Sequence, residues 1–300
     1  ACIGHFHRGL PVSCIQHPQT GRELTYGSLI PALVPKRVMV VGGGPAGMKA
    51  AATAAQRGHH VTLYEAGQHL GGQALKAQLL PSRAEFGGIV TNLTREMELA
   101  QVQIRRGIRV TVDLVEAERP DVVILATGAL PYVPDLPTDG QVQIVTAWQV
   151  LEGKATLGAR VLVADWRCDW IGPGIAERLT RAGSHVTLAV NGTHPGESLP
   201  LYVRDTMAAT LQDLGVAIQP YARLYGTAGD TVYLQHTASG AAMEITGVDT
   251  VVLALGHQSV DDLSASLLAR GVDVRMIGDC LSPRTAEEAV FDGLKAGVAV

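Results

Sequence analysis

Three glycines follow a short apolar segment in a pattern that can bind a phosphate. Residues 38–41 are Val-Met-Val-Val, and Gly42, Gly44 and Gly47 after them have the spacing GxGxxG. Gly42 permits a tight turn, Gly44 lets the backbone approach a pyrophosphate, and Gly47 lets the next helix pack close to the strand. Ala46 lies at the start of that helix, whose free N–H groups would face the phosphates.

The residues around this turn complete a βαβ unit. Residues 48–56 are alanine-rich and predict a helix, residues 61–64 predict a second strand, and Glu65 stands at the end of that strand. The carboxylate of Glu65 would accept hydrogen bonds from a ribose. A lone GxGxxG is a common pattern, but strand, turn, helix, strand and acid in this order indicate a dinucleotide site. These residues alone suit NAD and FAD equally.

The composition is that of a globular chain able to bury a large core. The chain has 300 residues, of which 47% are hydrophobic and 17% charged, and this length favours about two domains. The net charge of −4 and the absence of a basic run argue against nucleic acid or an anionic membrane as the main partner. The apolar runs are strand-sized and the amino terminus is unlike a secretion signal, so we expect a cytoplasmic protein without a membrane partner.

Residues 1–35 are punctuated by glycine and proline and lack apolar periodicity, which predicts a linker or arm. Cys2 and Cys14 lie in this arm with eleven residues between them. No CxxC or HxxxH pair accompanies them, so a zinc site is disfavoured. Four cysteines in the whole chain are too few for a disulfide scaffold.

The segment after the first βαβ unit predicts further elements of the same domain. A glycine pair precedes Gln73, a helix is expected over residues 84–106, and a third strand over residues 109–112. A fourth strand, residues 122–127, ends in a turn with the sequence Ala-Thr-Gly. Near the carboxyl end, a strand over residues 274–277 precedes a Gly-Asp pair and a closing helix from about residue 285.

Residues 160–190 repeat the strand–helix–strand pattern of residues 36–65, with matching HVTL segments in the second strand. The turn of this repeat lacks GxGxxG. Asp165 and Trp166 stand where the first glycine should follow the strand. The second half is thus built like a dinucleotide domain but is poorly suited to hold a pyrophosphate. Asp165 and Asp169 are interpreted as solvated loop carboxylates rather than as an acid pair.

The predicted fold is α/β, with two doubly wound dinucleotide-binding domains of which the second is inserted in the first. We expect an arm over residues 1–35 and a first domain formed by residues 36–150 and 250–300. Residues 151–249 would form the insertion, resembling an NAD(P)-binding domain that has degenerated.

Five motifs in order resemble those of flavoproteins with two dinucleotide-binding domains, which have a glutathione-reductase-like fold. The resemblance covers residues 36–300 and implies that the first domain binds FAD, with Asp279 on the ribityl chain of the flavin. The residues that it assigns to this site are Gly42, Gly44, Ala46, Gly47, Glu65, Gly72, Gln73, Thr127, Gly128, Gly278 and Asp279.

The arm narrows this resemblance to the family of trimethylamine dehydrogenase and 2,4-dienoyl-CoA reductase. Its sequence is similar to the CIGCNxxC segment that, with a later cysteine, binds a 4Fe-4S cluster in that family. The resemblance implies that Cys2 and Cys14 are the third and fourth cluster ligands and that the other two lie upstream of residue 1. It also implies a longer polypeptide with an amino-terminal FMN-bearing (β/α)8 barrel.

The degenerate second turn favours the amine dehydrogenases and N-methylproline-type demethylases of this family, which pass electrons to an electron-transfer flavoprotein or a similar acceptor. One alternative is an NAD(P)H-dependent enoate or dienoyl-CoA reductase, which needs a competent second glycine turn. Another is a non-catalytic docking module with ADP in place of FAD as a structural ligand. The sequence also allows a homo-oligomer.

Overall fold

The computed structural model describes all 300 residues. The strands, in chain order, are β1 Arg37–Val41, β2 His60–Glu65, β3 Gln103–Arg106, β4 Val122–Leu125, β5 Ala129–Pro131, β6 Gln143–Thr146, β7 Arg160–Asp165, β8 His185–Val190, β9 Ala217–Gln219, β10 Ala222–Ala228, β11 Thr231–His236, β12 Ala242–Ile245, β13 Thr250–Ala254, β14 His257–Ser259 and β15 Val274–Met276.

The helices, in chain order, are α1 Ile3–His7, α2 Glu23–Tyr26, α3 Pro45–Gln56, α4 Ala74–Ala77, α5 Gly87–Leu99, α6 Val112–Glu118, α7 Ala147–Leu151, α8 Ile171–Arg181, α9 Leu201–Asp213, α10 Ser264–Leu268 and α11 Ala286–Ala299. None of these helices has the length and apolar character needed to cross a bilayer.

The chain forms two compact units. Unit 1 comprises Ala1–Gln78, Ala84–Leu130 and Gln258–Val300, and unit 2 comprises Leu79–Arg83 and Pro131–His257. Most of unit 2 is therefore a single insertion in unit 1. Each unit is built on a five-stranded parallel sheet with helices, so the predicted fold class is confirmed.

The sheet of unit 1 has helices on both faces because β1 is apolar on both faces. Its strand order is β15-β4-β1-β2-β3. Val38 and Val40 pack with α3, α5 and α11 on one side. Met39 and Val41 point to the other face and pack with residues of α6 and α10. Alternating side chains of a strand point to opposite faces, so an uninterrupted apolar strand requires cover on both.

The strand order creates a crevice at one edge of this sheet. From β1 the chain adds β2 and β3 on one side and later adds β4 and β15 on the other. The connections after β1 and β4 therefore leave in opposite directions. Ligands of open α/β sheets bind at such a switch point, beyond the carboxyl ends of the strands.

Unit 2 repeats this arrangement and adds a second sheet. Its parallel sheet has the order β6-β13-β7-β8-β9, and β7, α8 and β8 follow one another as β1, α3 and β2 do. The antiparallel sheet β10-β11-β12 packs on it through Leu224 and Leu234, which share a core with Leu162 and Leu253.

The two units do not divide the chain at the predicted domain limits of residues 150 and 249. Strand β6 pairs with β13, and β13 pairs with β7. Because these three strands belong to one sheet, the sequence before residue 151 and after residue 249 contributes to the core of unit 2. The changes of unit fall instead at Leu130 and Gln258.

The prediction of a helix over residues 84–106 and a strand over residues 109–112 was wrong in detail. Helix α5 ends at Leu99, and Gln103–Arg106 is the third strand, which pairs with β2. Only Ile104 of this edge strand is partly buried, so its residues carry little apolar signal. Residue Thr111 then begins α6 by accepting a hydrogen bond from the Leu114 N–H at 3.3 Å.

Candidate nucleotide site

The glycine turn after β1 is closely packed on its inner side. Gly42 has φ +112°, and a Cβ there would lie 2.2 Å from the Ala126 carbonyl oxygen. A Cβ on Gly47 would lie 2.0 Å from the carbonyl oxygen of Gly42. Side chains at these two positions would collide with backbone, so the turn requires glycine for its own geometry.

The outer side of the same turn is open. A Cβ on Gly44 would meet no atom within 4 Å, and Gly44 is the N-cap of α3 without a side-chain cap. Pro45 follows as the first helical residue. The N–H groups in the first turn of a helix have no partner within the helix and carry a partial positive charge. The site therefore presents bare backbone and a helix amino terminus to an anion.

Glu65 lies at the carboxyl end of β2 and orders the loops around the turn. Its Oε2 accepts a hydrogen bond from the Gly43 N–H at 2.8 Å, and its Oε1 accepts one from the Gly67 N–H at 2.6 Å. A carboxylate oxygen has more than one lone pair, so a ribose hydroxyl can still donate to it. Its ribose-binding role stays a prediction.

The loop after β2 is joined to the glycine turn. The Gly71 N–H donates to the carbonyl oxygen of Gly43 at 2.7 Å. Gly72, at φ +51°, approaches so closely that a Cβ there would lie 3.1 Å from the Gly44 Cα. The glycine pair thus lets this loop pass over the turn and carry Gln73 to the site.

Gln73 meets Asp279 across 206 residues of sequence. The Gln73 Nε2 donates to Asp279 Oδ2 at 2.8 Å. Asp279 Oδ1 accepts from the Arg284 N–H at 3.1 Å, and its carbonyl oxygen accepts from the Ser259 hydroxyl at 2.7 Å. Asp279 is thereby fixed on three sides. The structure brings together the two polar residues that the resemblance assigns to the flavin side of the site.

The remaining predicted residues complete the edge of the sheet. Gly278, at φ +60°, packs on the start of α3, where a Cβ would lie 2.7 Å from the Ala46 Cβ. Thr127 follows β4 and donates to the carbonyl oxygen of Val260, whose own N–H donates to the Gly128 carbonyl oxygen at 3.0 Å. All eleven predicted residues therefore belong to segments at the carboxyl ends of β1, β2, β4 and β15.

Two further residues at this edge of the sheet, Ser259 and Cys280, are not among those that the resemblance assigns to the site. The Cys280 Sγ lies 3.1 Å from the Thr127 hydroxyl oxygen, and its side chain is buried. Burial raises the pKa of the Cys280 thiol, although its hydrogen bonds with Thr127 act in the opposite direction. A buried protonated thiol is a packing group rather than a nucleophile. The only sequence signal that could have placed Cys280 at this site is its position directly after the Gly-Asp pair.

These residues fit an adenine dinucleotide. The open face of Gly44 and the bare start of α3 suit a pyrophosphate. The polar pair Gln73 and Asp279 suits a hydroxylated chain such as ribityl. An acid at the end of β2 suits a ribose.

The corresponding turn of unit 2 has different chemistry. Asp165 is completely buried at the end of β7, and its Oδ1 accepts the N–H groups of Arg167 at 3.1 Å and Cys168 at 2.9 Å. The other oxygen, Oδ2, has no partner. A Cβ on Gly172, in the first turn of α8, would lie 2.4 Å from it. The Asp165 carboxylate thus accepts hydrogen bonds from N–H groups of the turn that a bound phosphate would need as donors.

The interpretation of both aspartates as solvated loop carboxylates was wrong for Asp165. Burial, together with the negative charge of Asp169, raises the pKa of Asp165 from 3.8 to about 7. Asp169 is only partly buried and pairs with the Arg167 guanidinium at 2.8 Å. The sequence shows an acid in an irregular turn in both cases and contains no local signal for burial.

Cys2 and Cys14 lie outside this site, in the arm. The Cys2 N–H donates to the Ser13 carbonyl oxygen at 2.8 Å, so the main chain of Cys2 lies beside the residue that precedes Cys14. Both thiols are free, and no group of three or more metal-binding side chains occurs in the chain. Two thiolates do not complete a four-iron cluster.

The comparisons with known proteins agree with this architecture. A family model described as pyridine nucleotide-disulphide oxidoreductase matches residues 36–293. The chain is 30% identical to N,N-dimethylglycine/sarcosine dehydrogenase of Chromohalobacter salexigens, over 98% of this chain and 48% of the relative. It is 33% identical to NADH oxidase of Thermoanaerobacter brockii, over 98% of this chain and 46% of the relative.

A solved structure, histamine dehydrogenase from Rhizobium sp. 4-9, aligns with a TM-score of 0.89 at 25% identity, over 96% of this chain and 48% of that one. The predicted resemblance to amine dehydrogenases is confirmed by these relatives. The chain spans about half the length of the curated relatives it matches.

Proposed function

This chain belongs to the pyridine nucleotide-disulphide oxidoreductase family, and we propose that it binds FAD in unit 1 and transfers electrons as part of an amine dehydrogenase or N-demethylase. The observation that carries the proposal is the contact between Gln73 and Asp279 beside the glycine turn. FAD, when bound, would supply the redox chemistry at this site.

The residues of the chain would bind and orient the cofactor. The start of α3 and Gly44 would hold the pyrophosphate, and Glu65 would accept from the adenosine ribose while it orders Gly43 and Gly67. Asp279 would accept hydrogen bonds from the ribityl hydroxyls. Because Arg284 and Ser259 already fix Asp279, its carboxylate is positioned before the cofactor arrives.

The cysteine arm supports a role in a larger redox enzyme. We propose that Cys2 and Cys14 are two of four ligands of a 4Fe-4S cluster and that an FMN-bearing barrel and an electron-transfer flavoprotein act with it. The relatives are about twice as long as this chain, which supports such a barrel. The arm also exposes a set of large apolar side chains that a further domain can cover: Ile3, Phe6, Leu10 and Val12.

The leading proposal is tested by nucleotide binding to a variant of Asp279. Asp279→Asn should weaken FAD binding about 10- to 100-fold, because a hydrogen bond to a charged group contributes about 1.5–3 kcal/mol. ADP lacks the ribityl chain, so its binding should stay unchanged. Isothermal titration of nucleotide-free protein with FAD and with ADP measures both, and Asp262→Asn, an exposed acid, is the matched control.

The identity of the nucleotide in purified protein separates this proposal from a structural one. FAD released on denaturation supports electron transfer. ADP found there supports the docking module with a permanent structural ligand. A chain that binds neither nucleotide, or an Asp279→Asn variant that loses ADP as strongly as FAD, would contradict the proposed flavin site.

The second candidate function is an NAD(P)H-dependent reductase, favoured by the similarity to an NADH oxidase. Such an enzyme needs a nucleotide turn in unit 2. In that turn, the Asp165 carboxylate already accepts hydrogen bonds from the N–H groups of Arg167 and Cys168. This arrangement supports the leading proposal, an amine dehydrogenase or N-demethylase, over the reductase. Anaerobic mixing of the FAD-loaded protein with NADH or NADPH decides between them: stoichiometric bleaching of the flavin absorbance favours the reductase.

A further inference from the structure

Helix α11 packs on the helix that begins at the glycine turn. A Cβ on Gly293 would lie 2.4 Å from the Ala46 carbonyl oxygen, and one on Gly297 would lie 2.6 Å from the Thr53 Cβ. Both glycines lie one turn apart on α11 and both face α3. The backbones of the two helices therefore approach closely, and a movement of α11 would displace the first turn of α3.

Other α11 residues face the arm. Phe291 packs with the arm through two contacts: the Arg22 guanidinium carbon lies 4.1 Å from its ring centroid, and the Tyr26 ring meets it edge-on at 5.6 Å. Glu287 precedes Phe291 by four residues. Residues four apart lie on the same face of a helix. Glu287 and Phe291 therefore form one arm-facing surface of α11.

Glu287 is the polar centre of this surface. Its Oε1 accepts a hydrogen bond from the hydroxyl of Ser13, which is 2% exposed. Its Oε2 lies 3.3 Å from His5 Nε2.

The contacts of Glu287 are connected to both cysteines of the arm. Ser13 directly precedes Cys14, and its carbonyl oxygen accepts the Cys2 N–H at 2.8 Å. His5 is held in turn, because its Nδ1 lies 3.0 Å from the Pro11 carbonyl oxygen. One carboxylate thus binds two segments of the arm, each of which carries one cysteine.

We infer that Glu287 is a positioning residue that holds the cysteine-bearing arm against α11, and thereby at a set place relative to α3, the helix that begins at the glycine turn and on which α11 packs. The attachment itself depends only on the contacts of Glu287 and Phe291. Its significance for electron transfer rests on the proposed function, since only a redox role of Cys2 and Cys14 makes their placement matter to the flavin.

Hydrogen exchange followed by mass spectrometry tests the attachment. In Glu287→Gln and in Ser13→Ala, backbone amides of residues 1–17 should exchange about tenfold faster or more, because a partly buried charge-assisted hydrogen bond is lost or weakened. Amides of residues 37–65 should keep the wild-type rate. Glu98→Gln is the matched control, because Glu98 is an exposed carboxylate in α5 that pairs with Arg95 at 3.1 Å.

Thiol alkylation provides a second readout. Cys14 is partly buried in the arm, so its reaction with iodoacetamide should become faster in Glu287→Gln, whereas the buried Cys280 should stay protected. Wild-type exchange and alkylation rates in both variants would overturn the inference. Faster exchange throughout unit 1 would also overturn it, because Glu287 would then stabilise the fold as a whole. The nucleotide released on denaturation is measured separately, so failure of the proposed flavin site leaves this test unaffected.

Discussion

Glu65 and Asp165 stand at the carboxyl ends of strands in the two units but have different surroundings. Both oxygens of Glu65 accept backbone N–H groups. Asp165 has one oxygen with two N–H partners and another that is buried without any. A buried oxygen without a partner is costly when it carries charge. Glu65 is therefore suited to bind a polar ligand, and Asp165 is suited to hold a proton.

The pH dependence of stability should report on Asp165. Its pKa is raised from 3.8 to about 7, so the folded state binds the proton more tightly than the unfolded state. The stabilisation of the folded state by protonated Asp165 is fully present below pH 3.8 and is lost as the pH rises to about 7. Asp165→Asn removes the ionisation and should make the protein more stable than wild type at pH 8, by an amount on the order of 4 kcal/mol.

Urea unfolding at pH 5 and pH 8 measures this effect. The difference between wild type and Asp165→Asn should widen from pH 5 to pH 8. The exposed Asp262, changed to Asn, should leave the wild-type pH dependence intact. Equal pH dependence in wild type and Asp165→Asn would show that Asp165 ionises as readily in the folded as in the unfolded chain.

At the scale of elements, the contact between α11 and α3 depends on glycine. Gly293→Ala places a Cβ 2.4 Å from the Ala46 carbonyl oxygen and 3.0 Å from the Ala50 nitrogen, so the helices must move apart. We expect a loss of about 2 kcal/mol in the free energy of unfolding, in the range found for overpacked cores. FAD binding should weaken as well, because Ala46 is in the first turn of α3.

Gly88→Ala in α5 is the control for the Gly293 variant. A Cβ there meets only the Gln16 Nε2, at an ordinary 3.5 Å. Alanine is the better helix former by up to about 1 kcal/mol, so this variant should be at least as stable as wild type. A Gly293→Ala variant that unfolds at the wild-type urea concentration would show that α11 tolerates a larger residue at this contact.

At the scale of the whole molecule, unit 2 is inserted between two segments of unit 1 that are hydrogen-bonded to each other. The Val260 N–H donates to the Gly128 carbonyl oxygen at 3.0 Å. Residues 131–257 can therefore be replaced by a short glycine–serine linker. Leu80, which packs in the core of unit 2, should then be changed to Ser, because its apolar partners are removed.

The shortened protein should fold and bind FAD within about 0.5 kcal/mol of the full chain, since every predicted contact to the cofactor lies in unit 1. Circular dichroism and FAD titration measure the two properties. A shortened chain that folds but has lost FAD would show that residues 131–257 contribute to the site.

Much of the nucleotide site was predictable because it is local. The strand, glycine turn and helix of residues 36–56 are determined by apolar residues, by glycines that backbone contacts require, and by alanines that favour helix. The closing helix was predicted from residue 285, and Thr285 is indeed its N-cap, in a capping box with Glu288. Each of these features depends on residues only a few positions apart.

The sequence by itself determined the two α/β halves, the order of the motifs and the residues of the first turn, because backbone sterics and apolar periodicity act over short distances. Only the tertiary structure decided that β3 is residues 103–106, that Asp165 is buried, and that Gln73 reaches Asp279. Such outcomes depend on which distant segments pack together, since an edge strand or an irregular turn carries no local signal of its surroundings.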